Sequence, residues 1–151
     1  MDIRYRRATK NDLPRCIEIR GLTNDNALDK KYLASIGVTE DSWTPYVEDG
    51  TYIGHIAQTE GNIVGFCFGD TRSGEILVLA ILAGFEGSGI GQHLLSLTGE
   101  SLFERGHNEL WLAAAAKPII RAYGFYRRIG WRPTNKFDIN GDEILKLKKQ
   151  R

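Results

Sequence analysis

The chain is poor in the residues that staple or metallate small proteins. Cys16 and Cys67 are its 2 cysteines, both lie in apolar surroundings, and neither has the Cys-x-x-Cys or Cys/His-rich spacing of a zinc or dithiol centre. Two buried, reduced thiols and no metal are expected. Neither sign of charge is in excess: 20 Lys and Arg stand against 19 Asp and Glu, a net charge of +1. That balance argues against nucleic acid as a partner, since phosphate-backbone binders carry a basic stripe. The short basic end at Lys146, Lys148, Lys149 and Arg151 reads as a solvated strand end. No apolar run approaches the roughly 18 residues of a membrane span, and the opening MDIRYRRATKND has no signal-like apolar region. Membrane and secretion are disfavoured, and a cytoplasmic location is expected. No repeat, linker or low-complexity segment divides the 151 residues, so one domain spanning 1–151 is expected, large enough for a core of its own.

Alternation over residues 3–7 predicts a first strand. A helix to about Arg20 follows, capped by Thr9 or Asn11, with Pro14 in its first turn where a missing N–H costs no intrahelical bond. Residues 21–50 are broken and polar, with one helix predicted near 28–36 and another opening at Thr39. Residues 52–58 and 62–68 are rich in β-branched and aromatic residues and read as a hairpin about Thr59-Glu60-Gly61. The nearly continuous apolar run 76–81 predicts a strand buried on both faces. Ile90, Leu94, Leu97 and Leu102 recur at helical spacing before Gly106. A strand over 109–115 comes next, then a helix bracketed by Pro118 and Gly130, then a hairpin of 131–137 and 143–147 about Asn140-Gly141. The fold class is α/β (α+β), a mixed sheet with helices on both sides.

Residues 75–95, EILVLAILAGFEGSGIGQHLL, pass from an apolar strand through a glycine-rich turn straight into an apolar-periodic helix. Gly87, Gly89 and Gly91 allow a tight curl, so that N–H groups of residues 86–92 can converge on one anion at the positive end of the helix. The spacing is not the Gly-x-Gly-x-x-Gly of a dinucleotide fold, because Gln92 or Leu94 falls where the last glycine belongs. Nor does Gly91-Gln92-His93 supply the Gly-Lys-Ser/Thr of a P-loop.

The segment Glu86-Gly87-Ser88-Gly89-Ile90-Gly91 resembles instead the Gln/Arg-x-x-Gly-x-Gly/Ala signature of the GCN5-related N-acetyltransferases (GNAT family). Ala122, Phe125, Tyr126, Gly130 and Trp131 match that family's second motif, Ala-x-x-Phe-Tyr-x-x-x-Gly-Phe, with Trp in the last aromatic place. The resemblance covers almost the whole chain. It implies a mostly antiparallel sheet with a splayed parallel strand pair, and transfer of acetyl from acetyl-coenzyme A to a primary amine by direct attack. By position it places Glu86, Gly87, Ser88, Gly89, Ile90, Gly91 and Gln92 on the pyrophosphate, Leu79, Ala80 and Ile81 along the pantetheine arm, and Tyr126 near the thioester sulfur. Two positions depart from the family pattern. Glu86 replaces the usual Gln or Arg, and Ile119 replaces an Asn many members hold near the cofactor.

A lysine-like amine, pKa about 10.4, costs roughly 4.6 kcal/mol to hold neutral at pH 7, so a base is useful. Tyr126 is the expected proton donor to the leaving thiolate, on a helix face shared with Ile119, Ala122 and Tyr123. Glu75 is the expected base, because the histone-acetyltransferase branch of the family carries its catalytic Glu at the start of a similar Glu-Ile-x-x-x-Ala-Ile. His55 and Asp70 are weaker candidates. A main-chain N–H at Leu79 or Ala80 would serve the oxyanion, and neither cysteine lies in the two motifs, which disfavours a thiol nucleophile. The acceptor is a small-molecule or peptide amine, with an acidic rim of Asp25, Asp29, Glu40, Asp41, Glu48 and Asp49 available to a cationic one. Family members are often dimers, which leaves a homodimer as one expectation. The alternatives are a non-catalytic acyl-coenzyme A binding module on the same fold and an unrelated anion-binding domain.

Overall fold

A computed structural model describes residues 2–24 and 27–150. Seven strands, β1 (Arg4–Arg7), β2 (Tyr52–Thr59), β3 (Asn62–Asp70), β4 (Glu75–Ile81), β5 (Glu109–Ala114), β6 (Arg132–Phe137) and β7 (Glu143–Lys148), form one sheet in the order β1-β2-β3-β4-β5-β7-β6. Every neighbouring pair is antiparallel except β4 and β5. The helices are α1 (Leu13–Arg20), α2 (Lys30–Ser35), α3 (Glu40–Glu48), α4 (Ile90–Glu104) and α5 (Arg121–Arg128).

Two apolar clusters cover the two faces of the sheet. One gathers Ile53, Cys67, Leu94, Leu102, Leu110 and Leu145 beneath α4. The other gathers Leu13, Ile19, Ile56, Phe66 and Phe68 beneath α1. Each such side chain contributes roughly 1.5–3 kcal/mol on burial, so the sheet centre is held firmly from both sides.

Local chemistry sets several boundaries away from the expected places. Thr9 caps only a 3₁₀ turn over Lys10–Asp12, and α1 starts after Asp12. Neither Asn11 nor a Thr9-capped α-helix is used, because the Asp12 carboxylate closes that turn: it accepts from the Thr9 N–H at 2.8 Å and from Arg6 at 2.8 and 2.9 Å. Pro118 does not open α5. The Ile120 N–H bonds the Lys117 carbonyl at 3.0 Å, a turn with proline at its favoured second position, and the helix begins at Arg121. Asn140-Gly141 is not a two-residue turn either. The Asp138 carboxylate accepts from the N–H groups of Asn140 and Asp142, both at 2.9 Å, and organises a wider loop. By contrast Glu60 and Gly61, at φ 51° and 79°, make the tight turn expected between β2 and β3.

The largest correction concerns β4, which is not buried on both faces. Only Ile76 and Ala80 are buried, and the other five residues are half-exposed. The cause is the sheet itself, because β4 meets β5 at a single pair, Glu75 with Trp111. Beyond it the two parallel strands diverge, and one edge of β4 is left open.

Candidate active site

The gap between β4 and β5 is the floor of a cleft of about 590 Å³. Its main-chain chemistry follows from register. Leu82 donates its N–H to Val64 on the β3 side at 2.8 Å, and strand alternation then turns the N–H of Ala80 toward β3 as well. Leu79 and Ile81 therefore present their N–H groups to the gap. Of the three residues expected along the cofactor arm, all line the cleft, but Ala80 offers it no amide donor.

At the end of β4 the chain turns into α4. Gly87 (φ 79°) and Gly89 (φ 85°) occupy the left-handed region that other residues resist. Gly89 is the N-cap of α4, and the first helical bond runs from the His93 N–H to its carbonyl at 3.1 Å. Among the described residues, no main-chain N–H from 86 to 92 makes a well-formed hydrogen bond within the chain, and residues 86 and 87 form a turn that brings the Ser88 N–H toward the Phe85 carbonyl. Seven consecutive N–H groups stand at the positive end of a 15-residue helix, ready for an anion.

The Glu86 carboxylate does not oppose that anion site. It accepts a 2.6 Å hydrogen bond from the Asn24 side chain, which holds it toward the loop after α1. A cation arrives instead. The Arg121 guanidinium lies 3.5 Å from where a Cβ on Gly87 would stand, so the first residue of α5 overhangs the glycine turn.

Tyr126 lines the cleft together with Ala122 and Phe125. Ile119 does not, being 89% exposed in the turn before the helix, and Tyr123 lies 3.5 Å beneath the Arg127 guanidinium instead. The face expected to carry all four thus carries Ala122 and Tyr126 alone. Among the described residues the Tyr126 hydroxyl makes no hydrogen bond. Burial first, and Cys67 second, raise its pKa above that of an ordinary phenol, while Arg20 pulls it back down. Cys67 pairs across the ladder with Leu79, and Leu79 and Tyr126 both line the cleft and pack against the same apolar cluster.

Glu75 is outside the cleft lining. It sits at the closed end of the gap, with its pKa raised by burial and then by nearby Asp70. Four residues of strand, roughly 13 Å, separate it from Leu79. His55 and Asp70 are occupied elsewhere. His55 is buried on β2 with Nδ1 2.9 Å from Thr98 Oγ1 on α4, and burial lowers its pKa to about 4. Asp70 is held by Arg72. Burial pushes the Cys67 thiol up to about 12 and the Cys16 thiol higher still, so neither offers a thiolate near neutrality.

The profile of the acetyltransferase (GNAT) family matches residues 18–131. This chain belongs to that family. No curated protein sequence matches it. Three solved structures show how widely the fold is shared. PaiA N-acetyltransferase from Thermoplasma acidophilum, in complex with coenzyme A, has a TM-score of 0.83 at 18% identity, over 99% of this chain and 100% of that one. For yncA of Salmonella typhimurium, solved with its cofactor acetyl-CoA, the values are 0.73 and 15%, over 100% and 96%. The ribosomal-protein-S18-alanine N-acetyltransferase of Escherichia coli gives 0.67 and 20%, over 97% and 94%. The seven-stranded sheet with its single parallel, splayed pair is the GNAT acyltransferase fold.

For this GNAT member, sequence reasoning missed Arg121 and Arg20, both of which line the cleft. Their signal was weak, because a single arginine on a helix reads as a solvated residue until the helix is docked. Among the described residues, no member of the acidic rim lines the cleft. Asp29 caps α2, Glu48 pairs with Lys10 at 2.9 Å, Asp49 accepts from the Thr51 N–H, and Glu40 and Asp41 are exposed in the first turn of α3. Asp25 lies outside the described residues.

Proposed function

We propose that this protein transfers acetyl from acetyl-coenzyme A to a primary amine by direct attack. The observation that carries the reading is the run of main-chain N–H groups over 86–92 with no well-formed bond within the chain, at the start of α4 and continuous with the open edge of β4. A pyrophosphate answers the first, with Arg121 adding a cation over the turn. An amide-bearing pantetheine arm answers the second, pairing with β4 as an added strand would.

The arm would bring the thioester carbonyl to the Leu79 N–H, which is aimed at the place where an oxyanion forms. The amine nitrogen bonds to the carbonyl carbon, the carbon–sulfur bond breaks, and coenzyme A leaves as thiolate. Tyr126, in the same cleft as Leu79, donates its proton toward that sulfur. Its raised pKa keeps the phenol protonated through neutral and mildly alkaline pH, so turnover should rise with pH as the amine loses its proton and should not fall before about pH 10. Glu75 takes the amine's proton through water, since the length of β4 between them forbids direct contact.

The test is release of free thiol from acetyl-coenzyme A over a panel of amines. Tyr126→Phe should lower kcat by about 100-fold and leave coenzyme A affinity within twofold. Equal kcat in the two proteins would remove Tyr126 from the reaction. Tight binding of coenzyme A with no thiol release from any amine would make the chain a non-catalytic binding module.

A further inference from the structure

The loop after α1 is tied to the glycine turn at two places. The Ala83 N–H donates to the Leu22 carbonyl at 3.2 Å, and the Asn24 side-chain amide donates to the Glu86 carboxylate at 2.6 Å. The loop is also rooted on α1 to either side of these contacts. The Leu22 N–H reaches the Ile19 carbonyl and the Leu28 N–H reaches the Arg20 carbonyl, each at 2.8 Å. Thr23 and Leu28 line the cleft along with Glu86 and Gly87. The loop is therefore a wall of the cleft on the α1 side, fastened to the residue that opens the N–H run of 86–92.

The fastening uses a residue that departs from the family pattern. An ionised carboxylate can only accept, so Glu86 selects the NH2 end of Asn24, and a charge-assisted bond of this kind is roughly twice as strong as a neutral one. Asn24 is exposed and Glu86 is half-buried, so in the free protein water competes for both groups and the entropy of ordering them opposes the bond. A diphosphate seated on 86–92 fixes the Glu86 main chain and removes part of that cost. We propose that Glu86 and Asn24 are positioning residues for the acceptor side, a clasp that holds the loop after α1 against the glycine turn and tightens when the donor's diphosphate binds. This rests on the acetyl-transfer reading. Glu86 then serves the wall that the amine meets, although it stands in the turn that meets the cofactor. Linkage limits the reverse effect, because cutting the clasp can weaken coenzyme A by no more than the factor by which coenzyme A tightens it.

Amide hydrogen exchange of the full chain, with and without coenzyme A, reads the clasp at the Ala83 N–H, whose acceptor belongs to the loop. Coenzyme A should raise protection there about fivefold in the wild type, the size expected of one exposed hydrogen bond. The rise should vanish in Asn24→Ala and Glu86→Ala, while protection over 86–92 still increases in both. Glu86→Gln should keep it. Asn24→Asp, which opposes two carboxylates, should abolish it, and adding Glu86→Gln to that variant should restore it with donor and acceptor exchanged. In the thiol-release assay Asn24→Ala should raise the KM of each amine turned over by about fivefold and leave kcat within twofold. An undiminished rise at Ala83 in Asn24→Ala, or an amine KM unchanged in that variant, would overturn the inference and leave the acetyltransferase standing. So would coenzyme A binding at 86–92 of the wild type with no change at Ala83. Failure to bind coenzyme A, or to turn over any amine, would remove the reading on which it rests.

Discussion

The two halves of the cleft are built from different materials. On the β4 side the working groups belong to the main chain: the N–H groups of Leu79 and Ile81, and the N–H run over 86–92. On the α1–α3 side the lining is made of side chains, among them Ile17, Ile36, Trp43 and Arg20. A main-chain site tolerates many side chains provided register and turn geometry hold, whereas a side-chain site changes with every substitution. Under the proposed acetyl transfer, a protein made this way can keep one donor and vary its acceptor.

The sharpest way to break that contrast is to edit the main chain of β4 at adjacent residues. Leu79→Pro deletes an N–H that faces the gap and leaves the β3 ladder intact, as an edge position permits. It should fold with a melting temperature near that of the wild type, yet lose 100- to 1,000-fold in kcat, the usual cost of one oxyanion donor. Ala80→Pro deletes an N–H directed at β3 and should fail to fold stably, as circular dichroism would show. Reversal of the two outcomes would mean that the register has been read one residue out.

A smaller effect is expected at the closed end of the gap. Glu75→Gln would remove the proposed water-linked base without touching the proposed cofactor surfaces, and should lower kcat/KM about tenfold near pH 7 while leaving coenzyme A affinity unchanged. The deficit should shrink as pH rises and the free amine loses its proton unaided. A constant deficit across pH would assign Glu75 to structure alone.

Acid should loosen the main-chain half through His55, which ties β2 to α4. Its pKa is lowered from the ordinary 6.5 to about 4 by burial and by Arg7. The unfolded chain therefore binds a proton first, so stability is full above about pH 6.5 and is lost as pH falls toward 4, by at most about 3 kcal/mol. Urea midpoints measured over pH 7 to 4 should fall, and His55→Gln should flatten that part of the slope. The smallest change is expected for Glu86→Gln. An amide can still accept from Asn24, so coenzyme A affinity should move less than twofold at low salt, and a marked tightening would show that the carboxylate does oppose the phosphates.

The same division explains what was legible in the sequence. The glycine turn, the apolar run of β4 and the Tyr126 helix announce themselves because backbone geometry restricts which residues can stand there. Residues 87 and 89 need glycine for their positive φ, and the GNAT resemblance rests on such positions. The open edge of β4 was misread as burial on both faces, since an apolar strand looks alike whether its neighbour pairs or splays. The acidic residues of 29–49 were read together as a rim, yet Asp29, Glu48 and Asp49 are spent on a cap, an ion pair and a turn, and Glu40 and Asp41 stand exposed in the first turn of α3. Nothing in spacing reveals that Arg121 will hang over Gly87 or that Trp43 will meet Phe68, because both depend on how helices dock.

The main chain of 79–92 is the proposed seat of a diphosphate and its amide-bearing arm. Amide chemical shifts recorded while coenzyme A is titrated into the protein test this directly. Saturable shifts are predicted at Leu79, Ile81 and throughout 86–92, with α2 and α3 little changed. No saturable shift, or shifts that leave 86–92 untouched, would contradict the account.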